Sequence, residues 1–428
     1  DQQVLTMRYL TLKTRLLALL LLSGACAAAQ TTPAEIAALP ERSAGIYHSY
    51  EYLPGPDAPV PAGYEPFYIS HYGRHGSRYH ASKKTYEQPL AVLRRAAEAG
   101  KLTPKGQEVL AKAEALAEDA RLRYGDLSPR GAAEHRGIAE RMYAAYPGVF
   151  STDGGRVCRV ESRSTLVPRC ILSMAAFNER LKELNPAIST TRDASERYID
   201  YMAHGPSMNV TYKQAGAVGD SLFRARLNPD RLMRSLFTDP GIVEDPLELM
   251  RQLHMMTAIV QDVSHLGIEP FYDIFTDEEL YTLWECENAR RYLQMGPSKR
   301  FGDPIVADAK PLLRNIVETA DEVVRGESDL SASLRFGHDV YVIPLVALLG
   351  IDGASARVES VDDVASAWSV EKVSPMATNI QFVFFRNPAT DDVRVRVLFC
   401  ERDARLPIPG GPYYPWAELK RYCESLYE

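Results

Sequence analysis

The sequence predicts an α/β protein: a layered α/β sandwich with a central, mostly parallel sheet and an inserted, mainly helical cap domain. Three observations predict it. Short strand-like runs alternate with helical stretches at both ends of the chain. Three of those runs end in turns that carry Arg, His or Asp. Between about Asn185 and Glu327 the strand signal gives way to Met- and aromatic-rich helical patterns. The 428 residues, 46% hydrophobic and 25% charged, suffice for a large core and exclude disorder as the main state. A net charge of −7 argues against nucleic acid as a partner, because neutralising phosphates needs a basic surplus.

Residues 1–29 read as a signal peptide. Arg8, Lys13 and Arg15 form a positive start, Leu16–Leu22 an apolar run too short to span a bilayer, and Ser23–Ala29 a series of small residues with an Ala27-x-Ala29 cleavage site. No later segment reaches the roughly 18 apolar residues a membrane helix needs, so no membrane span is expected. The reading is a periplasmic or secreted protein. An outer-membrane lipoprotein anchored through Cys26 ranks second, because Ser23 stands where such signals usually carry Leu. The later cysteines, at 158, 170, 286, 400 and 423, form neither a disulfide framework nor a CxxC metal spacing, and leave one Cys400–Cys423 bridge open.

Residues 30–65, with Leu53-Pro-Gly-Pro-Asp-Ala-Pro-Val-Pro61, read as an irregular lead-in. The α/β core is expected over 66–184 and 328–428, and the helical cap over 185–327. Phe67–His71 is the first strand, followed by a helix near Lys84–Gly100. The next two helices begin alike, at Leu102-Thr-Pro-Lys-Gly106 and Leu127-Ser-Pro-Arg-Gly131. In each, a hydroxyl accepts the unpaired N–H bonds of the first turn, and Pro opens the helix where its missing donor costs nothing. Val157–Glu161 predicts a second strand and Pro168–Leu184 an amphipathic helix. Pro246–Val263 and Asp277–Tyr292 are cap helices, and Asp308–Arg325 leads back to the core. There Ser331–Gly337 is a strand, Val340–Leu349 an apolar helix, Met376–Phe385 and Val393–Phe399 a strand pair, and Trp416–Tyr427 the closing helix.

Chemistry concentrates at three strand ends. The first carries His71-Tyr-Gly-Arg-His-Gly-Ser-Arg-Tyr-His80. Arg74, His75 and Arg78 crowd around Gly76, which permits a sharp turn and close approach by a ligand. Two guanidinium forks beside one imidazole suit a tetrahedral oxyanion, and two cations depress the His75 pKa towards the neutral, nucleophilic form. A solvated basic turn is the plain alternative. The second end, Glu161-Ser-Arg-Ser-Thr-Leu-Val-Pro-Arg-Cys170, puts Arg169 in the first turn of a helix, where the backbone already favours an anion. Arg163 reads equally well as a surface ion-pair residue. The third is Gly337-His338-Asp339. Parallel strands bring such ends together, and phosphate-ester cleavage needs what they supply: a nucleophile, several positive donors and a proton donor.

The chain resembles the histidine acid phosphatases, the branch of the histidine phosphatase superfamily that includes phytases and multiple inositol polyphosphate phosphatases. The resemblance rests on the ordered set Arg74-His-Gly-Ser-Arg78, Leu127-Ser-Pro-Arg-Gly131, Ser164-Thr-Leu-Val-Pro-Arg169 and His338-Asp339. It implies His75 as the nucleophile that takes the phosphoryl group. Arg74, Arg78, Arg169 and His338 would bind its oxygens, and Asp339 would donate the proton. His80 stands where the family's first motif usually has Pro. His338-Asp339-Val340 is closer to the phytase and general acid phosphatase pattern than to the His-Ala-Glu of the inositol polyphosphate phosphatases.

The expected activity is hydrolysis of phosphomonoesters on a small molecule such as an inositol phosphate, through a phosphohistidine, with no cofactor and no metal. Asp339 must start protonated, so acidic pH is expected to favour activity unless burial raises its pKa. Two alternatives stay open: a phosphotransferase or mutase with the same histidine chemistry, and a non-catalytic phospho-ligand-binding protein. Cap residues around Arg290-Arg291-Tyr292 could be lid surface. His135 and His254 read as core-edge or surface residues. The oligomeric state is not legible.

Overall fold

A computed structural model describes residues 30–55, 58–202 and 206–428; the stretch expected to be a signal peptide, with Cys26, lies outside the described residues. Its centre is one eight-stranded sheet of order β3-β2-β4-β1-β5-β6-β7, with β8 paired to β6. The strands are β1 (Glu65–Arg74), β2 (Arg159–Ser164), β3 (Ser189–Ala194), β4 (Ala332–Gly337), β5 (Asn379–Arg386), β6 (Val393–Phe399), β7 (Arg402–Asp403) and β8 (Tyr413–Pro415). β3, β2, β4 and β1 run parallel, whereas β5 and β6 continue the sheet antiparallel. This is the layered, mostly parallel arrangement that the alternation of strands and helices predicts.

Both faces of the sheet are covered, and the alternation along β1 shows why. Tyr68 and Tyr72 point into a cluster with the helices Lys310–Val324, Asp339–Leu348 and Trp416–Tyr427, while Ile69 points into the opposite cluster with Pro129–Ala145 and Pro168–Leu184. A third cluster is almost wholly helical. It joins Lys84–Glu98 and Pro104–Ala120 to Asp230–Leu236, Pro246–Ala258 and Asp277–Met295. The two Pro-opened helices start as expected: the Thr103 hydroxyl accepts from the Gly106 N–H and the Ser128 hydroxyl from the Gly131 N–H.

Four expectations need correction. The stretch 30–65 is not irregular throughout: Pro33–Ala38 is a helix closed by a Thr32/Glu35 capping box, Pro40–Tyr47 is a 3-10 helix, and Ile36 and Ile46 are buried. Within 185–327, Ser189–Ala194 is a strand that extends the main sheet beside β2. Its Ser-Thr-Thr-Arg-Asp-Ala sequence lies on a solvated edge and has no apolar alternation to betray it. Cys400 and Cys423 do not bridge; all five described cysteines are free, and these two belong to clusters on opposite faces of the sheet. His135 is wholly buried, against Phe336, rather than at an edge.

Candidate active site

The parallel half of the sheet lines up its strand ends. Arg74 of β1 pairs in register with Gly337 of β4, and Ser164 of β2 with Phe336 of β4. Beyond β1 the chain turns through His75 and Gly76, and the His75 N–H donates to the Gly337 carbonyl at 2.9 Å. The turn is clamped from the other side by the Pro129–Ala145 helix. A Cβ on Gly76 would fall 2.4 Å from the Gly131 carbonyl oxygen, and one on Gly131 would fall 2.2 Å from that of Ser77. The glycines of Arg-His-Gly-Ser-Arg and Leu-Ser-Pro-Arg-Gly are therefore two halves of one contact. The Ser128 N–H and hydroxyl both donate to the Ser77 carbonyl and seal it.

Arg74 is fully buried and held at one end. Its Nη1 donates to the Ile46 and Ser374 carbonyls at 2.8 and 2.7 Å, and its Nη2 lies 3.1 Å from Asp339 Oδ2. His75 Nδ1 is 2.9 Å from the Gly76 carbonyl oxygen. Since a carbonyl only accepts, Nδ1 carries the proton and Nε2 is left with the lone pair. Burial and the charges of Arg74, Arg78, Arg169 and His338 hold the His75 pKa well below the ordinary histidine value. The neutral imidazole is thus the stable form.

His338 sits edge-on to His75 with ring centroids 5.7 Å apart, and Thr165 Oγ1 lies 3.1 Å from its Nε2. Its backbone N–H donates to the Tyr72 hydroxyl. Arg78 is buried against the Tyr47 ring, with its guanidinium carbon 5.3 Å from the ring centroid. Arg169 stands at the start of Pro168–Leu184, half-buried and close enough to Arg78 and Asp339 to feel both charges. All six residues singled out for phosphate chemistry therefore converge on one cup. Arg163 does not: it binds Glu161 and the Tyr201 hydroxyl and stacks on Tyr198.

Asp339 departs from expectation in its charge. Burial pushes its carboxyl up, but Arg74, His338, Arg78 and Arg291 outweigh that and bring its pKa down to about 2. These neighbours favour its carboxylate form.

Sequence reasoning missed the far wall. Arg291, on the Asp277–Met295 helix, is held by Glu287 Oε1 at 2.6 Å and the Tyr212 hydroxyl at 3.0 Å, and its charge reaches Asp339 and Tyr47. It is a partly buried cation fixed by two partners rather than a free lid side chain. Beside it opens a cavity of about 200 Å³ lined by Tyr47, Lys84, Arg251, Arg290, Arg291 and Glu287, among others. The only sequence signal was the Arg290-Arg291 pair, which also fits an exposed helix face. Among the described residues no group of three or more His, Cys, Asp or Glu stands where it could hold a metal ion, and no helix is long and apolar enough to cross a membrane.

Part of the chain matches a known family. Residues 232–400 match the family model of the histidine phosphatase superfamily (branch 2), and this is the superfamily the chain resembles in motif and fold. The match includes His338 and Asp339; Arg74–Arg78 and Arg169 lie outside it and are joined to it by the geometry above. No curated protein matches the sequence. The fold is shared with a Bifidobacterium longum multiple inositol polyphosphate phosphatase solved in complex with inositol hexasulfate. That likeness has a TM-score of 0.74 and 19% identity over 89% of this chain and 97% of that one. A phytase from D. castellii aligns with a TM-score of 0.67 and 15% identity over 90% of this chain and 84% of that one.

Proposed function

We propose that the protein is an exported phosphomonoesterase of the histidine acid phosphatase type, acting on a phosphorylated small molecule through a phosphohistidine on His75. One observation carries this reading. His75 is neutral, its Nε2 lone pair is left free by the Nδ1 hydrogen bond, and it lies within the charges of Arg74, Arg78, Arg169 and His338. A binding protein has use for the cations but not for a prepared nucleophile.

The charge of Asp339 refines the order of events. A phosphomonoester has a second pKa near 6, so in mild acid it arrives as the monoanion with one proton. Seated among the arginines, its negative charge competes with Asp339 for Arg74, which raises the carboxyl's proton affinity. The substrate's proton passes to Asp339. His75 Nε2 then attacks phosphorus while the ester P–O bond breaks, and the leaving oxygen takes that proton. Water next attacks the phosphohistidine, Asp339 accepts its proton, and phosphate leaves with the P–N electron pair returned to His75. Acidic pH favours activity because it protonates the substrate rather than Asp339 directly.

The cationic cavity beside Arg291 favours a substrate with more than one phosphate, and the inositol polyphosphate phosphatase and phytase likenesses in fold support inositol phosphates as the class. The test is phosphate release from inositol hexakisphosphate and simple monoesters, with an alkaline denaturing quench to trap protein-bound phosphate that is labile in acid and stable in base. Turnover without a trapped phosphohistidine, or a trapped one that persists in His75→Ala, would overturn the reading.

A further inference from the structure

Behind the loop that presents His75 runs a buried chain of oxygens that this chemistry does not use. Asp262, in the 3-10 segment Ile259–Leu266, is wholly buried, and the Glu134 side chain on the Pro129–Ala145 helix is 6% exposed. Ser49 and Ser77 stand between them. Asp262 Oδ1 lies 2.9 Å from Ser49 Oγ, Ser49 Oγ lies 3.2 Å from Ser77 Oγ, and Ser77 Oγ lies 2.7 Å from Glu134 Oε1.

Proton counting decides how this chain is wired. Three contacts need three protons, and the two hydroxyls supply only two. With both acids ionised, each serine donates to its own carboxylate and the serine–serine contact has no hydrogen. One added proton completes it: a carboxylic acid donates to Ser49, Ser49 to Ser77 and Ser77 to Glu134. Burial pushes the Glu134 carboxyl up as well, but Glu134 is the better-supported anion of the pair. It also accepts the Ser77 N–H at 2.7 Å and the Tyr50 N–H at 3.1 Å, and lies 3.7 Å from Arg130 Nε. Asp262 has no such support, and its Oδ2 is buried without a partner, which costs far less for a neutral carbonyl oxygen than for a charged one.

We propose that Asp262 is a positioning residue that acts as a protonated acid: it keeps negative charge away from Arg74 and Arg78 and braces the His75 loop through Ser49 and Ser77, so that losing its proton weakens anion binding in the cup. The inference rests on the reading of the cup as a phosphate site. The groups facing Asp262 are Arg74, Ser77 and Arg78 from the β1 loop, Glu134 from its helix, Ser49, and the phenols of Tyr86 and Tyr272. Burial pushes the Asp262 carboxyl up to about 7, with Glu134 adding to the rise and Ser77, Ser49 and Arg78 opposing it. The change therefore falls near neutral pH.

Sulfate is the probe, because its charge is constant over the working range and it needs no turnover. Calorimetric titration of the full chain is expected to show sulfate affinity falling roughly tenfold from about pH 5.5 to about pH 8.5, the fold-change that matches a one-unit displacement of one titrating group. Asp262→Asn, whose amide can donate to Ser49 at every pH, is expected to flatten that fall. Ser49→Ala removes the hydroxyl 2.9 Å from Asp262 Oδ1, one of the groups that favour the carboxylate, and is expected to move the fall to higher pH. A folded Asp262→Asn that keeps the wild-type curve overturns the proposal, as does an unshifted Ser49→Ala; should Asp262→Asn fail to fold by circular dichroism, Ser49→Ala decides alone. If the wild type binds no sulfate at any pH, the phosphate-site reading itself falls, and this inference with it.

Discussion

The two neighbours of β1 do different work. On one side β4, and β2 beyond it, run parallel to β1 and deliver side chains to the cup: His338 and Asp339 follow β4, and Arg169 follows β2. On the other side β5 runs antiparallel and sends no charged group to the cup. It is preceded by a backbone brace: the Arg74 N–H donates to the Thr378 carbonyl, the Ala377 N–H to the His75 carbonyl, and the Ser374 carbonyl accepts from the Arg74 guanidinium. The difference teaches how a cationic cup is kept open. Parallel strands point their ends at the same place and gather charge; the antiparallel side presents main-chain acceptors and donors that hold the cations still without neutralising them.

Substitutions can break or sharpen this division. The largest effect is expected at the proposed nucleophile: His75→Ala should lower kcat more than about 10³-fold, read as phosphate release against the intact fold. On the parallel side next, Asp339→Asn should cost roughly 10²–10⁴-fold, and least on p-nitrophenyl phosphate, whose leaving group needs no proton. An equal loss on an alkyl phosphate would contradict the donor role. Gly131→Ala forces a Cβ against the Ser77 backbone, so both Tm and kcat/KM should fall together.

Acid stability comes next in size. His71 and His135 sit on the cluster side of the site with pKa values lowered to about 3, by burial first and, for His71, by the neighbouring His135 and Arg335 charges as well. The unfolded chain binds these protons at about 6.5 and the folded chain does not, so their share of stability is complete above that pH and is lost as pH falls towards 3. Tm should therefore decline from about pH 6.5 downward, and His135→Phe should make the decline shallower. The smallest effect belongs to the brace. Ala377 has φ of 54°, a backbone region glycine adopts more easily, so Ala377→Gly should leave kcat within about twofold and raise stability by up to about 1 kcal/mol. A large loss of activity there would mean that the antiparallel side does more than hold.

What was legible in the sequence follows the same division. The motifs at residues 74–78, 164–169 and 338–339 are contiguous and end predicted strands, so parallel topology alone assembles them. The wall around Arg291 and the acid chain of Asp262 and Glu134 were not legible, because each residue reaches the site from a different helix or turn and none sits in a recognisable local pattern. β3 was missed because a polar edge strand lacks the apolar period that marks the inner ones. The state of Asp339 needed coordinates too: burial and its cationic neighbours act in opposite directions, and only their distances say which prevails.

One consequence follows from the place of β1 in the sheet. The strand that leads into His75 is made early, yet both strands that flank it come from beyond residue 330. A growing polypeptide thus carries His75 for most of its length without His338 and Asp339 beside it. The cup is completed late, when the last quarter of the chain closes around the first, and a fragment cut anywhere before that closure lacks His338 and Asp339.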